Sequence, residues 1–261
     1  MTARFFGRSG HSLFGVYHAP TGAITRSVGV VLCYPGPQEY RHCHFIYRTL
    51  AMALAADGFP VLRFDYFGTG DSGGETRDGT LAHWVEDIRD AVSELRDLAG
   101  VRRVSLVGIR LGAALAARAC ATKLPVTQLV LWDPVVSGSD YLAQLDDLQE
   151  HVLAATHYPE DNHRAPGELL GYVMTDAMRA SLVELDMRSE PWGSPQHVVV
   201  MCATQRPEYQ TLFEVAGARG LDCTVDHVSD ATLSDSDRLS DMLLASHIPA
   251  AICGHLSRRK T

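Results

Sequence analysis

Short apolar runs alternate with longer stretches of helical periodicity along most of this chain. Phe5-Phe6-Gly7 and Leu13 to His18 flank the polar turn Arg8-Ser9-Gly10-His11, which predicts an opening antiparallel hairpin. After Pro20-Thr21-Gly22, the continuous run Val28-Gly29-Val30-Val31-Leu32-Cys33 suits a strand covered on both faces. A helix over about 43–57 closes at Asp57-Gly58, and Pro60-Val61-Leu62-Arg63-Phe64 reads as the next strand. A helix over about 80–98, a strand from Val104 to Val107, a small-residue helix from Leu111 to Ala121 and a strand from Val126 to Trp132 follow. Repeated strand–helix–strand units of this kind close as right-handed crossovers in a parallel sheet.

Between Pro134 and Pro195 the rhythm stops. Two helical patterns, about 139–154 and 168–185, are separated by the polar segment His157-Tyr158-Pro159-Glu160-Asp161-Asn162-His163. One domain with an inserted helical cap accounts for this: core over 1–136 and 196–261, cap over 137–195. His197 to Ala203 returns as a strand, a helix covers about 208–219, Leu221 to Val228 is a last strand, and Ser236 to Ala245 a last helix. No internal repeat or low-complexity tract interrupts the order.

The stretch Val104-Ser105-Leu106-Val107-Gly108-Ile109-Arg110-Leu111-Gly112-Ala113-Ala114 is a strand, a sharp turn and a small-residue helix. Glycines two before and two after the central position permit the strained turn and close packing of a nucleophile elbow, G-x-S-x-G. The centre here is Arg110. A guanidinium stays protonated to about pH 12 and beyond, so it neither attacks a carbonyl nor accepts a proton.

On these residues the chain resembles the α/β-hydrolase superfamily, most closely its serine-aminopeptidase-like branch, which includes exosortase-A-associated hydrolases. The likeness also rests on Leu13-Phe14-Gly15-Val16-Tyr17-His18, Gln38-Glu39-Tyr40, Arg63-Phe64-Asp65-Tyr66-Phe67-Gly68-Thr69-Gly70-Asp71-Ser72, Leu131-Trp132-Asp133-Pro134-Val135-Val136 and Gly171-Tyr172. It implies a mostly parallel eight-stranded sheet with helices on both faces and a helical cap. It also implies a nucleophile, a histidine base and an orienting acid within hydrogen-bond reach. The acid is expected after Ala203, where Thr204-Gln205-Arg206-Pro207-Glu208 offers Glu208 alone, at a helix start. For the base, His227 stands beside Asp226 and Asp230, although its alternation with Val225 also suits a strand position. Cys33, Ser72, Cys202 and Thr204 lie near the same rim without a local base, and buried cysteines are usually inert.

The surroundings of the missing nucleophile are intact. Open parallel sheets bind ligands at the carboxyl ends of their strands, which here present Tyr34, Gly36, Pro37, Gln38, Tyr40, Tyr66, Arg110, Leu111, Trp132 and Asp133; Tyr158 of the cap joins them as an expected substrate contact. The resemblance implies oxyanion donors at the backbone N–H groups of Leu111 and the Gly36–Gln38 region. Tyr34 stands where relatives often carry histidine. His227 and Glu39 are the candidate catalytic groups. A buried Arg110 needs an anion, which is either internal, from Glu39 or Asp133, or a substrate carboxylate gripped through the guanidinium fork; the side chain could instead snorkel to the rim.

Donors that stabilise a tetrahedral intermediate also stabilise an enolate. The loss of the serine is similar to the atypical α/β-hydrolase-fold proteins of ribosomal-peptide pathways, such as the bottromycin-pathway aspartate epimerase group. That resemblance implies a peptide in the cleft and a substrate carboxylate able to help as base. The leading expectation is therefore a protein that binds a carboxylate-bearing peptide or acyl intermediate and promotes epimerisation or isomerisation at Cα. The alternatives are a non-catalytic binder that presents substrate to a tailoring enzyme, and an ester or amide hydrolase with an unrecognised nucleophile.

Composition narrows the setting. The 261 residues are 46% hydrophobic and 21% charged with a formal charge of −8, which fits a globular chain and offers no basic footprint for nucleic acid or an anionic membrane. The N-terminus lacks an apolar signal core, so a cytoplasmic location is expected. Six dispersed cysteines without a C-x-x-C pair read as free thiols. Neither a metal nor an organic cofactor is indicated.

Overall fold

The computed structural model describes residues 1–122, 124–155, 167–203, 205–228 and 247–258. Strands β1 (Thr2–Arg8) and β2 (His11–His18) form the opening antiparallel hairpin, with Phe5 paired to Phe14. β2 continues antiparallel to β4 (Val61–Phe64). From β4 onward every pairing is parallel, through β3 (Val28–Cys33), β5 (Arg103–Ile109), β6 (Val126–Trp132), β9 (His197–Cys202) and β10 (Cys223–His227). The eight strands stand in the order β1-β2-β4-β3-β5-β6-β9-β10, the expected mostly parallel α/β sheet.

Helices α1 (Pro37–Ala56), α2 (Leu81–Ala99), α3 (Leu111–Cys120), α6 (Pro207–Ala218) and α7 (His247–Arg258) accompany the sheet. All residues of β3, β4, β6 and β9 are buried, as continuous apolar runs require when helices cover both faces. Between β6 and β9 the chain forms α4 (Gly138–Ala155), the short hairpin β7 (Glu168–Leu169) and β8 (Tyr172–Val173), and α5 (Asp176–Val183).

Two boundaries differ from expectation. Helix α1 begins at Pro37 rather than near 43, because proline at the first helical position has a preset φ and its missing N–H costs nothing there. The helix expected over 168–185 is a hairpin followed by α5: Leu170 and Gly171, at φ 52° and 83°, turn the chain between β7 and β8, and Thr175 caps α5 through its hydroxyl. The helix expected over 236–245 lies outside the described residues, and α7 starts after it.

Candidate active site at the β5–α3 turn

Arg110 sits between β5 and α3 with φ 52° and ψ −121°, a strained backbone for a residue with a side chain. The flanking glycines make the turn possible. A Cβ on Gly108 would lie 2.4 Å from the Gly112 carbonyl oxygen, and one on Gly112 would lie 2.2 Å from that of Tyr34. The turn is further held by Arg110 N–H donating to the Trp132 carbonyl at 3.0 Å, and by Val135 N–H donating to the Arg110 carbonyl at 3.2 Å. The backbone of an elbow is present, with a cation at its apex.

The Arg110 side chain is 4% exposed, and its partner Glu39 is fully buried. Arg110 Nε donates to Glu39 Oε1 at 2.9 Å, Nη1 to the Asp133 carbonyl at 3.3 Å, and Nη2 to Gln144 Oε1 at 3.1 Å. The second oxygen of Glu39 accepts the Tyr141 hydroxyl at 3.0 Å. Burial disfavours the Arg110 cation, but the charge and hydrogen bond of Glu39 outweigh it and hold the guanidinium protonated above its ordinary range. Burial, reinforced by the charge and hydrogen bond of Glu39 and opposed by the Arg110 charge, pushes the Tyr141 phenol well up, so it stays a neutral donor. Tyr141 and Gln144 are three apart on α4 and share a face, so the bridge ties α4 to the elbow.

Of the alternatives for the Arg110 anion, the internal one is present: Glu39 takes the Nε–H that a bidentate substrate carboxylate would need on that side. Glu39 in turn has both oxygens engaged and no exposure, so in this conformation it serves as the counter-ion of Arg110 rather than as a base open to the cleft. The oxyanion region is also thinned. Pro37 lacks an N–H, so the donors left near the elbow are the backbone of Gly36, Gln38 and Leu111.

Asp133 follows β6 with φ 40°, and its Oδ1 accepts the Ala203 N–H at 3.2 Å. Its carboxyl is raised by burial, against that hydrogen bond and the nearby Arg110 charge. Glu208, the expected acid, lies in the first turn of α6 with Arg206 Nη1 3.8 Å away. His227 is the last residue of β10 and is exposed, while Asp226 points to the opposite face and binds His255 Nε2 of α7 at 2.7 Å. Asp226 therefore does not orient His227. Residues 229–246, which include Asp230 and follow β10, contain no histidine.

Three of the other nucleophile candidates, Cys33, Cys202 and Ser72, are buried or already hydrogen-bonded. Burial raises the Cys33 thiol, and lifts Cys202 to about 11. Ser72 Oγ donates to the Asp65 carbonyl at 2.6 Å and accepts the Phe14 N–H at 2.8 Å. Thr204 lies outside the described residues.

A cleft of about 410 Å³ opens beside the elbow, where Arg110, Asp140, Tyr141, Gln144, Arg206 and Tyr209 contribute polar groups. A second, narrow crevice of about 20 Å³ lies among Pro37, Gln38, Leu111, Trp84, Met174 and Met178, and Tyr141 is a wall of both. Of the expected substrate contacts, Arg110 faces the first space, Pro37, Gln38 and Leu111 face the second, and Gly36 lies against the Tyr141 hydroxyl. Tyr34, Tyr66, Trp132 and Asp133 are 1% exposed or less and line neither. These are corrections: Tyr34 packs on Tyr40 and Tyr47, and Tyr66 stacks on Trp84 at 5.3 Å, as core. Tyr40 is spent on Asp65 Oδ1 at 2.7 Å. Tyr158 lies outside the described residues. Tyr141, Gln144, Tyr209 and Arg206 were not anticipated; the α4 periodicity carries a signal for the first two, whereas nothing in sequence brings α6 to the elbow.

A model of the family "Serine aminopeptidase, S33" matches residues 26–178. The chain belongs to this family. Members are built for the fold just described, yet this one carries arginine at the elbow apex. Among solved structures, the chain is similar to the bottromycin epimerase BotH in complex with bottromycin A2, at 20% identity and a TM-score of 0.63 over 98% of this chain and 100% of that one. It is also similar to Est1E from Butyrivibrio proteoclasticus with ferulic acid bound (16%, TM-score 0.63, 98% and 96%). Proline iminopeptidase from Mycobacterium smegmatis gives 15% and a TM-score of 0.62 over 98% and 97%. These likenesses are of fold. No curated protein matches the chain. Among the described residues no helix is long and apolar enough to cross a membrane, and no group of three or more His, Cys, Asp or Glu is placed to hold a metal.

Proposed function

We propose that this S33-family chain is non-hydrolytic and binds a carboxylate-bearing peptide or acyl intermediate in the cleft beside Arg110. The observation that carries this reading is the buried Arg110–Glu39 pair at the position where hydrolysis needs a nucleophile. A guanidinium has five N–H donors, and three of those of Arg110 are used internally. Arg110 and Arg206 both line the cleft, together with Asp140 and Glu208, and in this reading the guest carboxylate takes donors from the two guanidinium groups. A binding test uses a pair of short aspartyl peptides that differ only by a C-terminal carboxylate or carboxamide. Calorimetry should show tighter binding of the carboxylate, with the preference lost in Arg206→Gln; equal affinities for both peptides would overturn the reading.

Epimerisation at Cα is a second reading, favoured by the fold likeness to a bottromycin epimerase. With Glu39 committed to Arg110 and Tyr141, the base is assigned to a carboxylate of the guest, and the backbone N–H groups of Leu111 and Gln38 to the developing enolate. In D2O an epimerase adds one dalton at Cα of the bound peptide. A binder leaves the mass unchanged while heat is still released, and cleaved peptide contradicts both readings.

A further inference from the structure

A second buried arginine lies away from the elbow. Arg63 stands on β4 and is 8% exposed. Its Nε donates to His18 Nε2 at 3.3 Å and its Nη1 to the Tyr34 hydroxyl at 3.4 Å. Both bonds are long for N–H donors, and both acceptors are neutral. Arg110, buried to a similar degree, has the Glu39 carboxylate on its Nε, whereas among the described residues no carboxylate pairs with Arg63. Asp65, two residues on, is held instead by the Tyr40 hydroxyl at 2.7 Å and the Asp71 N–H at 3.0 Å. A buried cation without a paired anion is costly. The Nη2 group of Arg63 has no protein partner and is not sealed from solvent, so that edge can take an anion from outside.

The surroundings add positive charge. Burial and the charges of Arg63, the chain's amino group and Arg48 lower His18 to about 4 and hold it neutral, and none of these charges is negative. Arg48 is exposed on α1 and forms no ion pair among the described residues. The Tyr34 hydroxyl accepts from Arg63 and gives its own hydrogen to no protein acceptor, and His44 of α1 stacks on the Tyr34 ring. We infer that the seam between α1 and the β2–β4 pair is a binding site for one small oxyanion of the phosphate or sulfate class, held by the free edge of Arg63 and by Arg48, with the Tyr34 hydroxyl as a neutral donor. None of these residues lines the cleft beside Arg110, so the site is independent of the carboxylate-binding reading.

The test is calorimetry of the full chain with inorganic phosphate, sulfate and methyl phosphate, at an ionic strength fixed with chloride. One saturable site per chain is expected; tighter binding of methyl phosphate than of phosphate would assign the site to a phosphate ester, and the reverse order to the free ion. Arg48→Gln, an exposed change that leaves the fold alone, should weaken binding about tenfold, as loss of one charge-assisted contact implies. Arg63→Gln should abolish it, and Arg206→Gln should leave it unchanged. In proton NMR, saturating phosphate should move the His18 ring titration upward from about 4, because an adjacent anion favours the imidazolium. Absence of saturable heat with all three anions would overturn the inference. So would binding that Arg48→Gln and Arg63→Gln both leave intact, binding that Arg206→Gln removes, or a His18 titration that phosphate does not move.

Discussion

Arg110 and Glu39 depend on each other. Removing one partner of a buried ion pair leaves an uncompensated charge and costs about 3–5 kcal/mol, whereas replacing both with apolar groups of similar volume is often neutral. Arg110→Ala should therefore lower the free energy of unfolding in urea by about that amount, and the double variant Arg110→Met/Glu39→Leu should recover most of it. A loss below ~1 kcal/mol in the single variant would mean that the pair is solvated. Arg110→Ser should not gain esterase activity, because Glu39 is engaged by Tyr141 and residues 229–246, after β10, contain no histidine. The apex arginine was legible in sequence because Gly108 and Gly112 frame it. Its partner was not, since Glu39, Asp133 and a ligand satisfied the same charge argument, and only the fold decides which is within 3 Å. Tyr34, Tyr66 and Trp132 were misread for a related reason. Aromatic residues at strand ends mark the ligand-binding edge, but the fold sets whether the ring faces the cleft or the layer beneath α1 and α2.

The strand-to-helix elements around the elbow tolerate little change. A Cβ on Gly112 would meet two backbone oxygens, of Tyr34 at 2.2 Å and Cys33 at 2.4 Å, and neither can swing away as a side chain would. Gly112→Ala should cost about 3 kcal/mol or more in urea unfolding, and a neutral result would show that β3 and α3 do not pack as described. The β2–β4 pairing carries a pH response. Burial, reinforced by the Arg63 charge, lowers His18 from 6.5 to about 4, while His18 Nε2 accepts from Arg63 Nε at 3.3 Å. Below pH 6.5 the unfolded chain takes up a proton that the folded chain refuses, so His18 makes stability fall as pH drops from 6.5 toward 4. His18→Gln, which keeps an acceptor for Arg63, should reduce that slope in denaturation curves; an unaltered slope would assign it to other groups. Strand positions were legible from apolar runs because both sheet faces are covered. The β7–β8 hairpin was not, because its two-residue strands are too short for an alternating pattern, and Gly171 was the main local signal.

Across the molecule, the elbow bridge joins α4 to the sheet: Gln144 and Tyr141 of α4 hold Arg110 and Glu39, which belong to α3's start and α1. Breaking it in Arg110→Ala should raise amide hydrogen exchange in α4 well before exchange in β5 and β6, because local opening follows loss of the tether. Uniform protection in both proteins would show that α4 is held by other contacts. The parallel sheet was readable from the alternation of elements, whereas the place of Tyr141 between the cleft and the crevice required the fold. An arginine at the elbow apex should form no covalent acyl intermediate. After incubation with a fluorophosphonate the intact-protein mass should stay unchanged, and a stoichiometric adduct on any serine or cysteine lining the cleft or crevice would refute the non-hydrolytic reading.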